Sequence, residues 1–345
     1  MVTENAPILS VRGLKAYFPL HEGTVRAVDG VSFDVHPGRV FGIVGESGCG
    51  KSVTMKAILN IIEPPGRIVA GEVLLYPKGP DGAAGGAPVD LSRLEKNGKR
   101  MRAVRGAEIA LIPQEPMASF SPVHTIGNQI VEAIRLHRDV DRKGAQAMAL
   151  QLFQDVGIPM PERRLEEYSW QLSGGLRQRA VIAMALSCNP RLLIADEPTT
   201  AVDVTTQAQV LRLLRRLQKE RGSAIVFITH DLGVIAQMAD DVTVMYLGLV
   251  MEQGPVDAIF HSPRHPYTQA LLRSIPSAAS TPREDLPTIS GSIPHPINRP
   301  SGCPFHPRCD RRAAGACRKG IPALKAYGDG QMVRCFLYGG EEEAP

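Results

Sequence analysis

Gly45-Glu46-Ser47-Gly48-Cys49-Gly50-Lys51-Ser52 restricts the fold of this chain more than any other stretch. It follows the apolar run Val40–Val44, and the pattern beyond it predicts an apolar helix ending at Pro64-Pro65. A strand that passes through a glycine loop into a helix marks one end of a parallel α/β unit. The glycines let backbone N–H groups turn inward and approach an anion closely, and the helix N-terminus adds a favourable dipole. The spacing is that of a phosphate-binding loop, G-x-x-x-x-G-K-[ST]. In such a loop Lys51 neutralises the β- and γ-phosphates of a nucleotide and the Ser52 hydroxyl ligates Mg2+. The expected nucleotide contacts are Gly45, Ser47, Gly48, Cys49, Gly50, Lys51, Ser52 and Val53. Cys49 occupies a position where a small residue suffices, and no redox role is assigned to it.

The second half of such a site is Leu192-Leu193-Ile194-Ala195-Asp196-Glu197, an apolar strand ending in two acids. Asp196 is expected near the Mg2+ and Glu197 is suited to polarise an attacking water as general base. Alone the pattern is weak; paired with the loop it is strong. Gln114 follows the apolar run Ile109–Ile112, and its amide can reach the metal or the water, although a lone Gln there is ordinarily a surface residue. Leu172-Ser173-Gly174-Gly175-Leu176-Arg177-Gln178 opens a helix with Ser and two glycines. Its free N–H groups can bind phosphate; standing alone it would be an ordinary cap. His230 closes the strand over 225–229, where a His can contact the γ-phosphate.

The remaining pattern predicts a strand at 71–76, a Gly/Ala/Pro-rich loop at 77–88 and a helical run over 125–154. A second helical run, 175–188, stops at Asn189-Pro190. An amphipathic helix covers 205–220, with Gly222 at its C-cap position. Residues 223–229 form a buried strand, and 241–246 pairs with 249–253 across Gly248. Apolar strands alternating with helices indicate an α/β domain with a largely parallel sheet. No internal repeat is present.

Composition bounds the rest. The 345 residues suggest two domains or one with an appendage. A net charge of +4 is too balanced to argue for a nucleic-acid partner. No run approaches the ~18 apolar residues of a membrane span, and residues 1–11 do not form a secretory signal. The chain is therefore expected in the cytoplasm, with cysteines as thiols or metal ligands rather than disulfides. Glycine and proline make up 61 residues, about 18% against a usual 12%. Thirteen of the 28 prolines lie from residue 255 onward, and four of the six cysteines lie beyond residue 302. That tail is a different kind of chain, and its acidic run at 341–343 is a solvated end. Cys303, Cys309, Cys317 and Cys335 are spaced C-x5-C-x7-C-x17-C. A segment with so small a core commonly needs a staple. Four thiolates can bind Zn2+ or an iron–sulfur cluster, or they can remain free buried thiols.

The phosphate loop, Gln114, the signature at 172–176, the Asp196-Glu197 strand end, Asp203 and His230 together resemble the ABC-type ATPase cassette over residues 8–254. The resemblance implies a P-loop NTPase fold with a RecA-like core and a helical subdomain at about 115–172. It implies that ATP is sandwiched between two cassettes, so that Ser173, Gly174 and Gly175 serve a partner's ATP, and that Gln114 joins Ser52 and Asp196 at the Mg2+. It also implies an aromatic on the adenine, Phe18 with Tyr17 as fallback. Leu176 and Val202 depart from the commoner Gln and Leu without removing a catalytic group. One cassette without spans points to a transporter subunit that works with separate membrane proteins.

His265-Pro266-Tyr267-Thr268-Gln269-Ala270-Leu271-Leu272, Ile275-Pro276 and Gly302-Cys303-Pro304-Phe305-His306-Pro307-Arg308-Cys309 resemble the C-terminal extension, here 255–345, of dipeptide/oligopeptide permease ATP-binding subunits. Gln114-Glu115-Pro116-Met117 resembles the same subfamily. The resemblance implies an ATP hydrolase at the cytoplasmic face of the membrane. Its implied partners are a second, similar ATPase in a heterodimer, two transmembrane permease subunits met around 114–122, and indirectly an extracytoplasmic solute-binding protein. Peptides are the implied cargo, with nickel or another small solute, or a soluble regulatory ATPase, as alternatives. Some members carry a 4Fe-4S cluster in the extension, which favours that group over zinc for the four cysteines.

Overall fold

The structure, a computed structural model, describes residues 6–78, 86–116, 119–200, 203–275, 288–313, 315–328 and 330–338. Most of the 77–88 loop and the acidic run at 341–343 lie outside the described residues. The chain divides into two compact units. The first holds Asp34–Arg39 and Leu75–Ile228; the second holds Ser10–Phe33, Val40–Leu74 and the described residues from Thr229 on.

In the first unit Leu192–Asp196 lies between Ile109–Ile112 and Ala224–Thr229, all parallel. Ile109 stands opposite Leu192, and Leu192 opposite Ala224. Every residue of Leu192–Asp196 and of Ala224–Thr229 is buried. Burial on both faces is why these strands read as unbroken apolar runs rather than alternating ones. The helical run at 125–154 is two helices, Ile126–His137 and Arg142–Asp155. The break is a capping event: the Asp141 side chain accepts a hydrogen bond from the Gly144 N–H at 2.7 Å and starts a new helix. These two helices pack on each other, and Arg142–Asp155 packs on Gly174–Leu186. Helix Val204–Arg221 buries Val210, Leu214 and Leu217 and ends at Gly222, whose φ of 66° is the left-handed C-cap.

In the second unit Val40–Val44 runs parallel to Asp241–Tyr246, which pairs antiparallel with Leu249–Pro255. Leu247 and Gly248 make the two-residue turn, both with positive φ, as the strand twist demands. The sheet continues into the tail: Glu252 pairs with Val333, and Lys325–Ala326 pairs with Met332–Val333. Two tail strands of two residues each are too short to show a period in sequence. A second sheet is formed by Leu9–Leu20 between Gly23–Val35 and Arg67–Leu75. Helix Lys51–Ile58 stops well short of Pro64-Pro65. Asn60 adopts φ 50°, and the Ile61 N–H closes onto the Lys56 carbonyl at 2.8 Å, a left-handed helix stop.

Candidate functional site

The glycine loop lies in the second unit and is shaped by its neighbours as much as by its own sequence. Gly45 has φ 155° and Gly50, the residue before the helix, has φ 102°. A side chain at Gly45 would collide with the Met245 carbonyl, and one at Gly50 with the Ala27 carbonyl. Both positions therefore exclude a Cβ by space as well as by backbone conformation. Lys51 is 5% exposed and folds back over the loop. Its Nζ donates to the Gly45 carbonyl at 2.8 Å and the Glu46 carbonyl at 3.2 Å. Burial pushes the Cys49 thiol up, so it stays protonated and unreactive. Ser47 and Gly48 are exposed along the loop, and Ser52 and Val53 are half-buried in the first helical turn. His230 is exposed directly after Ala224–Thr229. The next residue, Asp231, caps the helix Leu232–Met238 by accepting from the N–H groups of Gly233 and Val234.

The first unit gathers the acidic half. Asp196 ends its strand and is 3% exposed. Glu197 leaves the strand with φ 45°, a left-handed conformation uncommon for this residue. Its Oε2 accepts from Gln114 Nε2 at 3.2 Å and from Thr200 Oγ1 at 2.9 Å. The structure thus joins Gln114 to Glu197 directly, a pairing across 83 positions that spacing alone does not reveal. Met117 of the Gln-containing motif, and Ala201 and Val202 ahead of Asp203, lie outside the described residues.

Ser173 is the N-cap of Gly174–Leu186, its hydroxyl accepting from the Leu176 N–H at 3.4 Å, and Ser173 and Gly174 are exposed. Behind them Arg177 is buried, donating to the carbonyls of Ser169 at 2.8 Å and Leu172 at 3.1 Å. Arg177 fixes the approach of the chain to this helix start, a role the sequence reading did not assign. Asp203 caps Val204–Arg221, accepting from the Thr206 N–H at 2.9 Å and the Thr206 hydroxyl at 2.7 Å. Those bonds hold its carboxyl below the usual range.

Phe18 and Tyr17 point to opposite sides of their strand. The Tyr17 hydroxyl donates to Asp29 at 2.7 Å, and Arg299 donates to the other Asp29 oxygen at 2.7 Å. Phe18 is half-buried with its ring against Gly66, a position where any side chain would strike it. The phenol is committed to Asp29, which leaves Phe18 as the aromatic of the pair without a polar obligation.

Cys303, Cys309, Cys317 and Cys335 line one small cavity together with His265 and Phe305. All four are free thiols. Burial pushes Cys303 and Cys335 up to about 11, and the neighbouring cysteines add to the shift. Among the described residues no group of three or more His, Cys, Asp or Glu side chains is arranged to hold a metal ion.

Comparisons with known proteins match two segments of the chain. Residues 28–200 match the ABC transporter family, and residues 251–317 match the oligopeptide/dipeptide transporter C-terminal region. The dipeptide transport ATP-binding protein DppD of Escherichia coli (strain K12) is 45% identical over 328 residues, spanning 95% of this chain and 96% of that protein. DppD of Bacillus subtilis (strain 168) is 45% identical over 331 residues, spanning 96% of this chain and 94% of the relative. A dimeric post-hydrolysis ATP-binding cassette, solved with ADP and Pi, superposes with a TM-score of 0.61 at 24% identity. It covers 72% of this chain and 98% of its own, a likeness of fold.

Proposed function

This chain belongs to the ABC transporter family, and on that premise we propose that it binds and hydrolyses ATP to energise the import of dipeptides or oligopeptides. The observation that carries this reading is the joint presence, in one chain, of the glycine loop under Lys51 and a C-terminal region of the oligopeptide/dipeptide transporter type. In this reading residues 8–254 are the cassette, 115–172 its helical subdomain and 255–345 the transporter-specific extension. Gly45, Ser47, Gly48, Cys49, Gly50, Lys51, Ser52 and Val53 receive the triphosphate and Phe18 stacks on the base. Ser52, Gln114 and Asp196 would hold Mg2+, which when bound neutralises charge on phosphate oxygens. Glu197 takes the proton of the attacking water, with Gln114 and Thr200 orienting its carboxylate. His230 meets the γ-phosphate. Ser173, Gly174 and Gly175 face the ATP of a second cassette, and Asp203 holds the first turn of its helix at that junction.

The second cassette is a separate ATPase, so the working pair is a heterodimer. It sits at the cytoplasmic face of the membrane on two permease subunits, which an extracytoplasmic binding protein supplies with solute. Among the described residues no helix is long and apolar enough to cross a membrane. The chain is expected to purify from membranes with two polytopic proteins. In vesicles that complex is expected to accumulate labelled dipeptide only with ATP. Uptake of peptide without ATP, or a complex lacking membrane proteins, would reject the reading.

The shared cavity of the four cysteines supports a metal-bound staple in the extension, with a 4Fe-4S cluster favoured over Zn2+. Ligation requires thiolates, so binding would displace protons from thiols whose pKa is raised. Protein purified without oxygen is expected to carry about four iron and four sulfide per chain, and Cys303→Ser to lose both. Zinc alone would make it a zinc staple, and absence of all three would leave four free thiols.

A further inference from the structure

The loop at 45–52 carries a feature that phosphate binding does not explain. Its second residue, Glu46, places a carboxylate in the segment meant to receive a polyanion. Arg308, 262 positions later in the extension, grips that carboxylate with both guanidinium prongs. Nη1 lies 2.7 Å from Oε2 and Nη2 3.1 Å from Oε1. The arginine side chain is 5% exposed and the glutamate 22%. Nε donates to the Ser290 carbonyl at 3.2 Å, and the guanidinium lies beside the Tyr246 ring. A second arm comes from Tyr267, whose hydroxyl accepts the Glu46 backbone N–H at 3.0 Å. Tyr246, Tyr267 and Phe305 pack their rings together under this pair, and all three are buried.

We propose that Arg308 and Tyr267 are positioning residues for the phosphate loop. Through them the C-terminal extension neutralises Glu46, fixes the loop backbone and so sets the affinity for the nucleoside triphosphate. The inference rests on the reading of 45–52 as the ATP loop. A two-pronged arginine–carboxylate pair fixes direction as well as charge, which a single ammonium does not. Without the arginine, Glu46 remains as a partly desolvated negative charge in the loop, and a triphosphate is repelled at short range. Burial opposes the charge on Arg308, but its bonds to Glu46 and Tyr246 outweigh that, and the group stays protonated throughout the physiological range. The extension is then part of the nucleotide site rather than an appendage to it.

Binding of ATP to the purified full chain tests this directly. Arg308→Gln is expected to raise the Kd for ATP about tenfold. Adding Glu46→Gln to that variant removes the offending charge and is expected to return the Kd to within about threefold of the native value. A residue that only supports the fold would give no such rescue. Tyr267→Phe removes one hydroxyl and is expected to weaken ATP about threefold. It keeps the test decisive if Arg308→Gln does not fold. Native affinity in these variants, or a double variant as weak as Arg308→Gln, overturns the proposal. If the native chain binds no ATP, or Lys51→Ala binds it normally, the loop assignment fails instead.

Discussion

Replacing Glu197 with Gln is expected to slow ATP turnover by about 100- to 1,000-fold while leaving the Kd for ATP within about twofold of native. The geometry isolates the effect. Glu197 Oε2 accepts from Gln114 Nε2 and Thr200 Oγ1, and an amide oxygen can accept from both. The side chain therefore keeps its place when the charge is removed, and φ 45° at this residue, with its N–H on the Ile228 carbonyl at 2.9 Å, stays as it was. What is lost is the capacity to take a proton from water, the step for which a general base contributes most. Single-turnover hydrolysis and equilibrium nucleotide binding on the same protein separate the two quantities. Hydrolysis within a few-fold of native would remove Glu197 as the base. Gln114→Ala carries the complementary expectation: the carboxylate stays but loses one of its orienting donors, so turnover falls less than in Glu197→Gln.

Local signals in the sequence reached a long way into this fold. Val40–Val44, Ile109–Ile112 and Asp241–Tyr246 coincide with strands read from apolar runs, because burial on both faces leaves no other composition for them. Gly222 was legible as a helix stop for a similarly local reason. The N-terminal strands Leu9–Leu20 and Gly23–Val35 were not read. Their exposed and buried positions do not alternate cleanly, as the pattern of Leu9–Leu20 with its interrupting Gly13 and Pro19 makes plain. The tail's part in the sheet was not legible either: rich in proline and cysteine, it reads as a segment with a small core that commonly needs a staple. In fact Met332–Val333 joins the sheet and Phe305 is fully buried. In the candidate site, the loop and the strand-end acids are contiguous motifs and stand out. Gln114 with Glu197, Arg299 with Asp29, and Arg308 with Glu46 are partnerships across the chain. No periodicity encodes them, so only the folded arrangement brings them into view.

Lys51→Ala is expected to weaken ATP about 10- to 150-fold, the range for loss of one hydrogen-bonded charge–charge contact. In the described state the ammonium has left water for the carbonyls of Gly45 and Glu46, at 2.8 and 3.2 Å. Carbonyl oxygens carry only partial charge, so they hold the ammonium less well than phosphate oxygens would. Binding a triphosphate exchanges a weaker partner for a stronger one over a short movement, and the buried stem ensures that few rotamers must be surrendered. The same reasoning predicts little change in folding stability, about 1 kcal/mol, because desolvation of the ammonium already offsets much of what its two hydrogen bonds contribute. Affinity and stability therefore part company, which thermal melting alongside nucleotide titration will detect. Lys51→Arg is expected to restore little. Its planar fork needs more room than a loop in which Gly45 abuts the Met245 carbonyl and Gly50 the Ala27 carbonyl can give. Discrimination supplies a third readout: the loss should be large for ATP, smaller for ADP and negligible for adenosine if, as proposed, the lysine meets only the β- and γ-phosphates. Equal losses for all three ligands would mean that the substitution had collapsed the loop rather than removed a phosphate contact. The glycine geometry would then be the dominant source of affinity and the lysine its support.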